Sequence, residues 1–244
     1  MNAVIELLQR HRSIRKFKPV PLTSQQIEAI VSSAQMASTS SNVQAYSLIA
    51  IRDAATRSRL AELAGNQAYV ADCGLFIVFC ADLHRLEEAA SRHEESFHTN
   101  TESLLVATVD AALAAQNAAV AAESLGLGIC YIGGIRSEAE KVSSLLKLPK
   151  LVYPVFGMCI GTPDQQPSHR PRLPQDGLLH WDAYEEEAMQ AGIDRYDRTM
   201  HEYYKERTQG KTLTTWSRGI ADKYKKPVRA HMKSFLEARG FKLE

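Results

Sequence analysis

A cluster of basic side chains lies near the start of the sequence, where a short apolar stretch ends. The segment His11-Arg12-Ser13-Ile14-Arg15 holds three cationic or potentially cationic groups and one hydroxyl, with no acidic residue between them. The planar guanidinium fork of arginine matches the oxygens of a phosphate group. The cluster is therefore a candidate anion site, with the alternative that two arginines at a helix end only complement the helix dipole.

A second basic element occurs late in the chain, at Arg170-Pro171-Arg172. The proline restricts the backbone between the two guanidinium groups. Alone, this tripeptide is also typical of a solvated loop. Together, the two clusters have enough positive charge to neutralise a phosphate monoester.

Two uncharged segments offer contacts to the rest of such a ligand. The run Ser38–Asn42 supplies hydroxyl and amide groups for a polyhydroxyl chain, such as ribityl or ribose, or else is a plain polar loop. Gly133-Gly134 lets backbone amides approach a flat ligand closely, or else forms a simple turn. Gly126 and Gly128 follow a predicted helix and precede a predicted strand, which is the wrong order for a Rossmann dinucleotide fingerprint.

Composition excludes several function classes. The chain has 244 residues, 45% of them hydrophobic, and a net charge of +1, which gives no reason to expect binding to nucleic acid or to an anionic membrane. Acidic residues intersperse the basic tail around Lys223 and Arg229, and no apolar run is long enough to span a bilayer. The N-terminus lacks the pattern of a signal peptide, so we expect a cytoplasmic protein.

We expect no metal site. The four cysteines are widely spaced in apolar segments and form no CxxC motif, which favours buried free thiols. His93 and His98 are five residues apart, a spacing that does not place them on one helical face.

Hydrophobic periodicity predicts helices separated by a few strands, hence an α+β or α/β layer packed against helices. A capping box at Thr23–Gln26 begins the second helix. An alanine-rich helix is predicted to be buried on most sides. The expected strands are Ser47–Ile51, Cys73–Ala81, Ile129–Ile132 and Tyr153–Ile160, and the expected helices lie near Val4–Leu8, Ile27–Ala34, Ala54–Ala64, Glu102–Leu125, Ser137–Leu146, Ala183–Arg207 and Ser217–Arg239.

The character of the chain changes after Pro163, where four prolines within twelve residues indicate an extended connector. We expect residues 1–163 to form the core. Residues 164–244 are too poor in apolar side chains for a second core, so we interpret them as an extension of the same domain that wraps a neighbour or covers a site.

Taken together, these elements resemble the FMN-dependent nitroreductase superfamily, in particular its oxygen-insensitive, NADPH-dependent nitroreductase and flavin reductase branch. The resemblance covers nearly the whole chain and rests on six segments that occur in the family's order. They are His11-Arg12-Ser13-Ile14-Arg15, Ser38-Thr39-Ser40-Ser41, Gly65-Asn66-Gln67, Ala121-Ala122-Glu123-Ser124-Leu125-Gly126-Leu127-Gly128, Tyr131-Ile132-Gly133-Gly134 and Pro171-Arg172-Leu173-Pro174.

The resemblance implies an α+β sandwich, with a mainly antiparallel sheet flanked by helices around a long central helix. It also implies a homodimer with two FMN sites at the interface and a C-terminal extension that wraps the partner. The implied chemistry takes place on FMN, so no side chain is expected to act as acid, base or nucleophile.

The same resemblance assigns residues to the cofactor. His11, Arg12 and Ser13 would contact the FMN phosphate and ribityl chain, Arg170 and Arg172 would close the phosphate pocket, and Arg15 would lie at the pyrimidine edge. The Gly133 amide would lie near flavin N5. The full set of implied FMN contacts is His11, Arg12, Ser13, Ile14, Arg15, Thr39, Ser40, Gln67, Tyr131, Ile132, Gly133, Gly134, Arg170 and Arg172.

NADPH preference requires a cationic pocket for the 2′-phosphate. In this branch a basic loop in the C-terminal region supplies it. Arg207 matches that loop, but a second arginine of some relatives is Thr212 here, so Lys211 would substitute for it. The alternative is a flexible surface loop.

The resulting functional hypothesis is a ping-pong NADPH oxidoreductase that reduces flavins, nitroaromatic compounds, quinones or similar acceptors. The alternative is a flavin- or nucleotide-binding carrier or sensor without turnover, which would not need Arg207 and Lys211.

Overall fold

The fold is built around one antiparallel sheet. The computed structural model describes residues 2–244. Its strands lie in the order β1-β2-β4-β3 and every neighbouring pair is antiparallel. Each predicted strand is confirmed to within two residues at its ends. The strands are β1 (Tyr46–Ile51), β2 (Leu75–Asp82), β3 (Gly128–Ile132) and β4 (Val152–Gly161).

Ten α-helices accompany the sheet in the described residues. Thr23 forms the predicted capping box with Gln26, and Asn100 forms a second one with Ser103. The helices are α1 (Ala3–Gln9), α2 (Ser24–Gln35), α3 (Ala54–Leu63), α4 (Tyr69–Asp72), α5 (His84–Ser91), α6 (Thr101–Ser124), α7 (Ala139–Leu145), α8 (Glu186–Arg207), α9 (Trp216–Tyr224) and α10 (Met232–Ala238).

The long helix α6 is the central helix expected from its alanine content. Its alanines are buried where α6 contacts α2 and β2, because small side chains allow close approach. Burial on most sides is wrong for the single chain, since Leu105, Val109 and Leu113 are 42–55% exposed. The helix is long and apolar enough to cross a membrane by length and composition alone, a test that the core helix of a soluble protein also passes.

Helices cover both faces of the sheet. On one face, α2 and α6 form an apolar core with alternate residues of β2 such as Ile77 and Phe79. On the other, buried residues of α3 and α7 form a second core with Phe76 and Val78. This alternation along β2 explains why all its residues are buried. The structure confirms the predicted α+β sandwich.

One predicted helix is wrong, and two helices, α4 and α5, were missed. The expected helix Ser217–Arg239 is two helices, α9 and α10, because Pro227 lies between them. Proline has no N–H to donate, and it disfavours helical geometry in the residue before it. Helix α4 has only four residues, and α5 has a single large apolar side chain, Leu86, so neither has the apolar repeat that predicted the other helices.

The chain divides into two compact units. The first extends to Pro167 and also includes His231–Glu244, so that α10 belongs to it. There, Arg239 donates a hydrogen bond to the Leu148 carbonyl oxygen at 2.6 Å. The second unit is Ser168–Ala230 and contains α8 and α9. The division into a core at 1–163 and an extension at 164–244 stays a prediction.

Ser143 on α7 provides a test of the second core. Its side chain is fully buried, and its hydroxyl has no hydrogen-bond partner within residues 2–244. An unpaired buried hydroxyl costs about 1–3 kcal/mol. We expect S143A to raise the free energy of unfolding by about 1 kcal/mol more than S144A, which removes an exposed hydroxyl from the same helix. Equal changes in the free energy of unfolding of S143A and S144A, measured by urea denaturation, would contradict an unpaired Ser143 hydroxyl.

Candidate functional site

The basic segment 11–15 is docked against the edge strand β3. Ser13 bridges Ile129 in parallel orientation, and the Ile14 N–H donates to the Ile129 carbonyl oxygen at 2.8 Å. Gly128 permits this approach, because a Cβ there would lie 2.5 Å from Ile14 Cγ1. Ile14 is buried and Arg15 is exposed. The predicted anion cluster is therefore fixed to the sheet by its own backbone.

His11 has a carboxylate partner that sequence reasoning missed. His11 Nδ1 lies 2.7 Å from Glu123 Oε1, with the two side chains 32% and 13% exposed. Glu123 belongs to the last turn of α6, 112 positions away in sequence. This contact sets the orientation of the imidazole ring and leaves Nε2 to face a ligand. The segment Ala121–Gly128 contains Glu123, but no local spacing links it to His11.

Arg12 carries the clearest sign of an anion site. Its Nε is buried and has no hydrogen-bond partner in the described part of the chain. Arg12 also lines a cavity of about 500 Å³, together with Arg10, His11, Glu123 and Gly128. Buried polar atoms in native proteins are almost always satisfied, and a phosphate oxygen is a strong acceptor for a guanidinium N–H. The cavity therefore fits an anionic group.

Gln67 and Arg15 meet around Tyr69, a residue that sequence reasoning did not select. The Tyr69 hydroxyl donates to Gln67 Oε1, and Gln67 Nε2 donates to the Ala64 carbonyl oxygen. Burial raises the pKa of Tyr69, while the Arg15 guanidinium beside it opposes the rise. A Cβ on Gly134 would overlap the Ala64 oxygen and the Gln67 amide. Residues 15, 67 and 134 thus belong to one contiguous surface.

Tyr131 extends that surface from β3, whereas the Ile132 side chain is 1% exposed and packs in the second core. The Tyr131 hydroxyl donates to Gln116 Oε1 at 3.3 Å, and its ring meets Phe156 edge-on at 5.2 Å. Burial raises the pKa of Tyr131, and the Glu123 carboxylate adds to the rise. The phenol therefore stays neutral near pH 7. Gly133 and Gly134 follow directly, half-buried, so their backbone is open to a flat ligand.

Thr39 and Ser40 lie in a different place. No hydrogen bond joins either one to segment 11–15 or to Gln67 within residues 2–244. The Ser40 N–H instead donates to Asp110 Oδ1 on α6 at 3.1 Å. Thr39 is half-buried and Ser40 is exposed, so both hydroxyls remain accessible.

The arginines assigned to the phosphate pocket lie in the second unit. Arg170 Nη2 donates to the Tyr204 hydroxyl at 3.0 Å, and the Tyr196 hydroxyl donates to the Pro171 carbonyl oxygen at 2.8 Å. Arg172 Nη1 donates to the Arg170 carbonyl oxygen at 2.9 Å. These bonds hold the tripeptide on α8 and leave both guanidinium groups exposed. Their contribution to an anion site stays a prediction.

The basic segment at the end of α8, from Arg207 to Lys211, is largely exposed. Arg207 lies over the Tyr203 ring at 5.9 Å from its centroid, and Lys211 follows in a turn that contains Gly210. Both cations are accessible to a solvent-borne anion.

The first unit thus brings segment 11–15, Gln67 and residues 131–134 to the edge strand β3. The anion cavity lies at the Gly128 end of β3, and Gly133-Gly134 follow its other end. No group of three or more His, Cys, Asp or Glu side chains could hold a metal ion in the described residues. The arrangement is suited to binding a phosphorylated planar cofactor, whose own ring would carry the chemistry.

Comparison with known proteins gives matches over almost the whole chain. The model of the Nitroreductase family matches residues 8–162, and that of its C-terminal domain matches residues 170–244. An FMN reductase (NADPH) of Bacillus subtilis (strain 168) is 45% identical, covering 99% of both chains. An NADPH-flavin oxidoreductase of Vibrio harveyi is 42% identical, covering 98% of both. The solved structure of B. megaterium NfrA1 has a TM-score of 0.96 and 48% identity, covering 98% of this chain and 99% of that one.

The contact between Gly134 and Gln67 generates a prediction. G134A should lower the free energy of unfolding by about 1–3 kcal/mol, because the Ala64 carbonyl and the Gln67 amide must move. The neighbouring variant G133A is the control, since its Cβ would meet only Arg136 Nη2 at 3.5 Å. Equal losses in thermal or urea unfolding would show that Gly134 is not uniquely constrained.

Proposed function

The chain belongs to the nitroreductase family, and from that premise we propose that it is an FMN-dependent NADPH oxidoreductase acting on small-molecule acceptors. Flavins, nitroaromatic compounds and quinones are the acceptors that we propose. The observation that carries the proposal is the docked segment 11–15, where Arg12, with a buried and unpaired Nε, lines a cavity at the Gly128 end of β3.

The residues present fit FMN. Arg12 and His11 hold the phosphate, and Ser13 donates its hydroxyl to the phosphate or ribityl chain. Ile14 anchors the segment to β3, and the backbone of residues 131–134 lines the ring. When bound, FMN accepts two electrons from NADPH and passes them to the second substrate.

Arg15 and Gln67 act at the edge of the ring. The Arg15 guanidinium puts a positive charge beside Tyr69 and Gln67, which would favour the more negative, reduced form of a bound flavin. The Gln67 amide, oriented by the Tyr69 hydroxyl, selects the hydrogen-bonding edge of the ring. Protons come from water.

The exposed basic segment at the end of α8 favours NADPH over NADH. Arg207 and Lys211 supply two cations for the 2′-phosphate, which NADH lacks. The Tyr203 ring under Arg207 restrains the guanidinium and so lowers the entropy cost of binding.

We further propose a homodimer. Helices α1 and α6 contact each other and leave apolar side chains exposed on the outside. Leu105, Val109 and Leu113 recur every four residues along α6, with Val4 and Ile5 on α1. Such a patch marks a protein interface, here with a second copy whose C-terminal extension wraps the first. Sedimentation of the protein as a monomer would contradict it.

We place the protein in the cytoplasm. All four cysteines are free and buried, the state that a reducing compartment maintains. Recovery of the protein in a secreted or periplasmic fraction would contradict this location.

The role of Arg12 can be tested with two flavins that differ only in the phosphate. We expect R12A to weaken FMN binding by about 10- to 100-fold, the loss of charge-assisted hydrogen bonds. Riboflavin affinity should change by less than about twofold, because it has no phosphate. The control variant R52A removes an exposed arginine after β1. Flavin fluorescence titration of the apoprotein provides the affinities, and equal losses for both flavins would refute the phosphate contact.

The role of Arg207 can be tested with the two nicotinamide donors. R207A should raise the KM for NADPH by about tenfold, through the loss of one charge-assisted contact, and leave that for NADH nearly unchanged. The matched control is R198A, an exposed arginine on the same helix. Parallel increases with both donors in steady-state assays would reject the 2′-phosphate assignment.

A further inference from the structure

The alanine-rich, buried side of α6 contains one carboxylate, that of Asp110, which has no ion-pair partner among the described residues. Asp110 is 1% exposed and neighbours the buried Ala107, Ala111 and Ala114. No lysine, arginine or histidine forms an ion pair with it in the part of the chain that the structure describes. A buried charge is costly unless hydrogen bonds compensate it, so this carboxylate must serve the groups it contacts.

Those groups are the two ends of one loop. Asp110 Oδ1 accepts from the Ser40 N–H at 3.1 Å, and Oδ2 accepts from the Ala45 N–H at 3.1 Å. Both partners are N–H donors, so each of the two oxygens of Asp110 must be an acceptor. A carboxylate satisfies them together, whereas an asparagine would present its own NH₂ group to one of the two N–H groups.

The loop between these two bonds has an unfavourable backbone conformation. Ser41, Asn42 and Gln44 have φ values of 46°, 58° and 52°, the left-handed region that residues with a Cβ rarely adopt. Such a run persists only where the surroundings determine it, and it is more common at functional sites than elsewhere. Other bonds of the loop are local, such as Val43 N–H to the Ser40 carbonyl oxygen at 2.9 Å, apart from the Asp82 N–H, which donates to the Ala45 carbonyl oxygen at 2.9 Å.

We propose that Asp110 is a positioning residue for the flavin site. By fastening both ends of residues 40–45, it holds Thr39 and Ser40 next to the exposed apolar side of α6, the proposed dimer face, from which they would contact the ribityl chain bound by the second copy. This inference rests on the proposed function, because it requires that the loop contacts a flavin. Asp110 itself does not touch the flavin and acts only through this loop.

The test is flavin affinity in D110N and D110A. D110A places an alanine in an alanine-lined helix face, so it is expected to fold even where D110N does not. Both variants should lower the affinity for FMN and the affinity for riboflavin by the same factor, about 10- to 100-fold, because both flavins have the ribityl chain. The R12A variant should instead lower the affinity for FMN and leave that for riboflavin unchanged.

The matched control is D82N. Asp82 is also a buried carboxylate, 7% exposed, and it accepts from the Arg85 N–H at 3.1 Å and from the Ser47 hydroxyl. The Asp82 backbone N–H donates to the Ala45 carbonyl oxygen, a bond that D82N retains, and the Asp82 side chain makes none of the contacts to the Ser40 and Ala45 N–H groups. D82N should leave both flavin affinities within about twofold of the unmodified protein.

Two further readouts separate positioning from general destabilisation. Hydrogen exchange of the Ser40 and Ala45 amides in the apoprotein should accelerate in the Asp110 variants and not in D82N. At saturating FMN, kcat should stay within about twofold, because the substitution removes binding energy only. A fall in kcat with unchanged flavin affinity would overturn the proposal.

The outcomes also distinguish this proposal from the one it rests on. If the unmodified protein binds neither flavin, the proposed function fails and this inference fails with it. If the unmodified protein binds both flavins and the Asp110 variants bind them equally well, only the positioning role is wrong. Faster amide exchange without loss of affinity would also overturn the positioning role, since the loop would then be held for folding alone.

Discussion

The site depends on the attachment of one short basic segment to the edge of the sheet. The hydrogen bond from Ile14 N–H to the Ile129 carbonyl oxygen and the missing side chain at Gly128 bring this segment against β3. Because β3 runs from Gly128 to Ile132 and continues into Gly133-Gly134, the same attachment sets the anion cavity at one end of this strand and the two glycines at the other. Arg12 and Arg15 lie three residues apart on this segment, so one can face a phosphate while the other faces the ring. A shift of this segment would therefore disturb the phosphate contact and the ring contact together.

Helix α6 supports the site from three positions along its length. Its last turn provides Glu123, which orients His11. Its middle provides Asp110, which holds the loop that carries Thr39 and Ser40. Its outer side carries the exposed apolar residues around Val109, which we propose as the contact with a second copy. Alanine on the remaining face lets this one helix approach the sheet closely enough to serve all three roles.

Much of the fold could be predicted from the sequence, because strands and the long helix have strong local patterns. Family resemblance correctly indicated the sandwich and the FMN-dependent NADPH chemistry. The partners Glu123, Tyr69 and Asp110 could not be predicted, since each acts on residues that only the tertiary structure brings near. The helix Ser217–Arg239 was wrong because its apolar and charged pattern continues across Pro227, whose missing N–H ends α9. The roles of Arg170, Arg172, Arg207 and Lys211 stay predictions.

The central claim is that this chain binds FMN and passes electrons from NADPH to it. The most direct test is anaerobic mixing of the purified, flavin-loaded protein with a stoichiometric amount of NADPH while the visible absorbance of the flavin is recorded. We expect rapid loss of that absorbance, and its return when a quinone or nitroaromatic compound is added. A yellow protein whose absorbance does not change with NADPH would contradict the claim and indicate a flavin carrier instead.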